Sequence, residues 1–73
     1  EHNAYCEVYP NPVNDQLLVK AEGLQSVVVF NLEGQRVLVT ESSTIDVGSL
    51  SQGVYFVRIS AEHGVVTKRV VKQ

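Results

Sequence analysis

The side chains that could do chemistry in this chain are few. Three serines, Ser49, Ser51 and Ser60, could serve as nucleophiles with His63 as base. None stands in a nucleophile-elbow motif, and so short a chain has little material for a second pocket wall. Ser49 and Ser51 are better read as turn residues whose hydroxyls bond nearby backbone. Asp46 lies beside Thr44 next to a loop, with no second carboxylate near it in sequence, so it is expected to accept turn hydrogen bonds and not to act as a general base. Cys6, His2 and His63 fall short of the roughly four ligands a structural zinc site needs, and no metal or cofactor is expected. Gly34, Gly53 and Gly64 each follow a polar residue and precede an apolar run, which suits turns and not a phosphate cradle. No catalytic residue is expected, and the chain reads as a non-enzyme.

The elements that would hold these residues are punctuated every eight to twelve positions by turn signals. Tyr9-Pro10-Asn11-Pro12 has two prolines that fix φ and push their predecessors toward extended backbone, so it predicts a rigid corner after a short strand, Cys6 to Tyr9. Cys6 is expected either as a small apolar residue at the start of that strand or at a frayed, exposed end. Gln16 to Ala21 alternates, with Leu17, Val19 and Ala21 inward. Ser26 to Leu32 carries Val28, Phe30 and Leu32 on one face and Val27 and Val29 on the other, a strand buried on nearly both sides, and Phe30 is assigned inward. Glu33-Gly34 reads as a hairpin turn. Gln35 to Thr40 follows with Val37 and Val39 inward and Arg36 and Leu38 outward.

A short strand, Thr44 to Val47, pairs Ile45 and Val47 on one face, and in the connection that follows Leu50 is expected to tuck back into the core. Val54 to Ser60 is the clearest strand, with Tyr55, Val57 and Ile59 on the apolar face. Val65 to Lys72 ends the chain, and neither of its faces is clean: Val65, Thr67, Arg69 and Val71 lie on one, Val66, Lys68, Val70 and Lys72 on the other. That strand predicts either an exposed edge or an edge kept available for a partner.

Fifteen Val, two Ile and three Thr against three Ala agree with this reading, because β-branched side chains disfavour helix and suit a pleated surface. Seven short strands at this spacing, without helical periodicity, predict an all-β fold, an immunoglobulin-like antiparallel β-sandwich. The paired cysteines and buried Trp of true immunoglobulin domains are missing.

A net charge of −2 argues against nucleic acid, whose phosphates would need several neutralising cations. No apolar run nears the ~20 residues of a membrane helix, so membrane insertion is not expected, and nothing at the start resembles a signal peptide. The absence of Met predicts that Glu1 is not a translation start and that these 73 residues belong to a longer protein. Sugar-binding sandwiches usually display Trp platforms; here there is no Trp, and only Tyr5, Tyr9 and Phe56 are expected to be exposed, with Tyr9 the more plausibly packed on Pro10 and Pro12.

Taken in order, Tyr9-Pro10-Asn11-Pro12, Leu17 and Val19, Val28-Val29-Phe30-Asn31, Gly34, Val37, Ile45-Asp46-Val47, Leu50, Gly53-Val54-Tyr55-Phe56-Val57-Arg58-Ile59 and Lys68-Arg69-Val70-Val71-Lys72 closely resemble one known family. The chain resembles the type A C-terminal sorting domain of the type IX (Por) secretion system of Bacteroidota, from Val8 to Gln73, and Cys6 lies outside the pattern. The resemblance implies a sorting domain over 8–73, with 1–7 as linker and first-strand approach. It implies a non-catalytic address label that takes the N-terminal cargo domain of its own chain into the periplasm and then across the outer membrane. The implied partners are the type IX translocon and outer-membrane shuttle and sortase proteins, the sortase usually removing the domain and leaving cargo on the cell surface or released. It also puts translocon recognition at the extreme C-terminus, matching Lys68, Arg69, Val70, Val71 and Lys72, while Pro10, Asn11, Pro12, Gly34, Asp46, Leu50, Gly53 and Tyr55 match structural motif positions. Two other readings stay open at this point: a permanent adhesion or interaction module, and a carbohydrate-binding module.

Overall fold

Seven strands form in chain order: β1 (Cys6–Tyr9), β2 (Gln16–Ala21), β3 (Leu24–Phe30), β4 (Arg36–Thr40), β5 (Thr44–Asp46), β6 (Gly53–Ala61) and β7 (Gly64–Lys72). The computed structural model describes residues 6–62 and 64–73, so the readings made for residues 1–5, His2 and Tyr5 among them, and for His63 lie outside the described residues. Among the described residues there is no helix.

The strands divide into a three-stranded sheet, β1-β2-β5, and a four-stranded sheet, β4-β3-β6-β7, each antiparallel throughout. The chain passes between the sheets after β2, after β4 and after β5, which makes an immunoglobulin-like sandwich. Its core is where the two inner faces meet. Leu17, Val19 and Ile45 come from the smaller sheet, and Val27, Val29, Tyr55, Val57, Ile59 and Val70 from the larger. Two loop residues, Val13 and Val47, are buried with them, and Leu50 packs against the cluster as expected. Cys6 is buried as a free thiol at the start of β1, the first of its two expected settings.

Alternation along β2, β5 and β6 holds as expected. Along β4 the expected inner face is reversed, and β3, expected to be buried on nearly both sides, is fully buried on one side, with Phe30 on the other. Val27 and Val29 are the buried residues of β3, whereas Val28 and Phe30 point outward and Leu32 lies exposed beyond the strand. Both faces of β3 are apolar, so alternation alone could not choose between them; its register with β6 does, setting Val27 opposite Ile59 and Val29 opposite Val57. In β4 the inward residue is Leu38, opposite Val29, and Val37 and Val39 are exposed. The pairing steps from Val29 opposite Leu38 to Phe30 opposite Arg36, so Val37 is the extra residue of a bulge.

The β3–β4 turn is built by Asn31. Its Oδ1 accepts from the amides of Glu33 (2.9 Å) and Gln35 (3.0 Å), while the Asn31 amide donates to the Gln35 carbonyl at 3.0 Å. Gly34 completes it at φ +83°, a conformation that a Cβ would make costly.

Candidate functional site

β7 lies at one edge of the larger sheet, and its pairing with β6 runs along its whole length, from Ala61 opposite Gly64 to Gly53 opposite Lys72. That register settles which face is which. Val70 stands opposite the buried Tyr55, so Val66, Lys68, Val70 and Lys72 face inward and Val65, Thr67, Arg69 and Val71 outward. An inner side with two lysines is possible only because it lies near the rim of the sandwich. Lys68 is half-buried, whereas Lys72 is 8% exposed and its Nζ donates to the Gln73 carbonyl at 3.0 Å.

The outer edge of β7 is in part already taken. Asn11, between the two prolines, donates from Nδ2 to the Arg69 carbonyl (3.2 Å) and accepts at Oδ1 from the Val71 amide (2.9 Å). Val13 continues the contact as a parallel bridge: its amide donates to the Val71 carbonyl at 2.8 Å, and its carbonyl accepts from Gln73 at 2.9 Å. The side chain of Asn11 thus mimics one more strand residue, and Val13 supplies a real one. Both X-Pro bonds of the corner, Tyr9-Pro10 and Asn11-Pro12, are cis. Val13, 1% exposed, anchors the corner in the core.

Above this clamp the edge is uncovered by the described residues. Backbone groups of alternate residues point to the same side of a strand, so those of Val65 and Thr67, and the amide of Arg69, face away from β6 as Val71 does. No partner for them occurs among the described residues. Beside that edge a groove of ≈ 480 Å³ separates Glu7, Val8 and Tyr9 of β1 from Lys68, Arg69 and Val70 of β7. Tyr9 is 44% exposed beside it.

The C-terminal residues singled out by the sequence are therefore not one surface. Arg69 and Val71 sit on the outer face, Lys68 in the groove, and Val70 and Lys72 are buried. Asn11, expected only to form part of a corner, is bonded to that strand. The remaining motif positions are turn and packing residues. Asp46 Oδ1 accepts from the Gly48 amide at 3.0 Å, the Tyr55 hydroxyl donates to the Ser51 carbonyl at 2.8 Å, Leu50 donates its amide to Val47, and Gly53 opens β6 opposite Lys72. Ser49 and Ser51 are exposed in the β5–β6 connection and Ser60 lies on the outer face of β6. No cluster of His, Cys, Asp or Glu able to hold a metal occurs among the described residues.

The fold is thus a small two-sheet sandwich whose last strand is clamped by its first corner, with a groove beside it. Residues 7–73 match the family model described as the secretion system C-terminal sorting domain, and the chain belongs to that family. No curated protein and no solved structure matches the chain. The family is one of secretion signals and not of enzymes; its members work with the type IX machinery as part of a cargo protein and direct export across the outer membrane, toward the cell surface or beyond.

Proposed function

We propose that the sandwich, from Cys6 to Gln73, acts as a folded address whose C-terminal strand is read by the translocon and by an outer-membrane shuttle protein, the chain ahead of it being the connection to the cargo. A surface sortase then removes the domain from most molecules, leaving cargo attached to the cell surface or released. The observation that carries this reading is the clamp between Asn11, Val13 and the last strand, because it holds a short terminal motif in one shape on a domain with little core to spare. Arg69 and Val71 offer an exposed cation and a half-buried apolar group, and the open edge above them offers backbone donors and acceptors for strand addition. Val70 and Lys72 contribute by packing, so they shape the motif without being touched.

Fusing the 73 residues behind a reporter with an inner-membrane signal peptide tests the reading. Surface delivery is expected in a host with the type IX machinery, and periplasmic retention in the same host without it; equal delivery in both would overturn it. Deleting residues 69–73 also removes Val70 from the core and breaks the clamp, so Arg69→Glu is the cleaner second variant. It should keep the fold and strand the reporter in the periplasm.

A further inference from the structure

Charge is unevenly spread over the strands: the smaller sheet holds Glu7, Lys20 and Asp46, and most of the acids lie outside the strands. Strands β3, β4, β6 and β7 hold five of the six Lys and Arg and none of the eight Asp and Glu. On the outer face of that sheet the register sets Arg36, Phe30, Phe56 and Arg69 side by side in one row across all four strands, and Val39, Val28, Arg58 and Thr67 in the next. The Arg58 guanidinium lies 5.1 Å from the centre of the Phe30 ring. All three arginines are exposed, and Val39 is 59% exposed.

We infer that this face is a docking surface for an acidic, partly apolar protein surface of the export machinery, and that recognition extends across the sheet from Arg69 to Arg36. The inference rests on the sorting role proposed above. Arg and aromatic residues together are the composition of interface hot spots, and a guanidinium binds a carboxylate through two parallel bonds. Two copies meeting through this face are disfavoured, since three cations would meet three cations. An anionic membrane is also disfavoured: each basic residue strengthens such binding by about fivefold, and lipid-binding segments use about four to eight of them. The whole chain, moreover, carries −2. Four strands ~4.8 Å apart over ~20 Å of overlap give a face on the order of 400 Å², about half of one side of a standard interface. A contact of that size is transient, as suits a label that must be let go.

The test is the reporter fusion carrying R36E/R58E, which lies outside the terminal strand. Surface delivery is expected to fall by about tenfold or more, with R36K/R58K losing less because charge is kept and the planar fork is lost. Lys20→Glu, on the other sheet, should deliver as the parent does, and thermal melting should show all variants folded. A benzophenone amino acid in place of Val39 should crosslink to a protein, and reversing acidic residues at the crosslinked site should restore delivery of R36E/R58E. Undiminished delivery of folded R36E/R58E, crosslinking to lipid or to a second copy, or co-sedimentation with phosphatidylglycerol vesicles would each overturn the inference while leaving the sorting role in place. Failure of the parent fusion to be delivered would overturn both.

Discussion

The four-stranded sheet has two edges, and the chain protects them in opposite ways. At β4 protection is local: a bulge at Val37 breaks the pairing pattern next to Arg36, and the turn that sets it is five residues long, Asn31 to Gln35. At β7 protection comes from far away, with Asn11 bonding to strand residues 58 and 60 positions later. A local device ties the shape of an edge to its own hairpin. A distant one ties the state of the last strand to the state of the first corner, so the two most distinctive motifs of the sequence form one physical unit. Among the described residues, part of the β7 edge stays unpaired beside a groove, which is the edge that the proposed recognition uses.

The strongest way to break the contrast is Val70→Asp. It places an unpaired carboxylate in the core behind β7 and should cost about 3 to 5 kcal/mol, enough to unfold so small a domain in a urea titration. Asn11→Ala removes two hydrogen bonds to β7 and should cost about 1 to 2 kcal/mol. Hydrogen exchange should localise the loss to the Val71 amide, leaving β4 amides unchanged; equal loosening at both edges would mean that the corner does not specifically hold β7. Gly34→Ala attacks the local device, forcing a Cβ at φ +83°, and should cost about 1 kcal/mol with increased exchange confined to the β3–β4 hairpin. The smallest effect should come from Val39→Thr, an exposed β-branched replacement expected to shift stability by less than about 0.5 kcal/mol in the same titration.

How far the sequence could be read follows from the range of each determinant. All seven strands were legible, because turn residues and β-branched runs act within a few positions of themselves. So were the inner faces of β2, β5 and β6, where polar residues mark one side, and the inward turn of Leu50. The family resemblance rested on the same local pieces and agrees with the model matched over 7–73. The inner face of β4 is the reverse of the one its alternation predicts, and in β3 Phe30 lies on the outer side. Val27, Val28, Val29 and Phe30 offer no polar residue to choose a side, and the Val37 bulge shifts the alternation by one.

The sequence by itself therefore determined an all-β chain of seven strands, the places where it turns, and the family to which it belongs. Tertiary structure alone decided three things: which side of β3 and β4 is inside, that Val70 and Lys72 are buried while Arg69 and Val71 face out, and that Asn11 grips the final strand. The reason is one of distance. Alternation and turn chemistry are set between neighbours in the chain, whereas register and edge capping are set between strands, by whichever pairing buries the most apolar surface and leaves the fewest backbone groups unbonded.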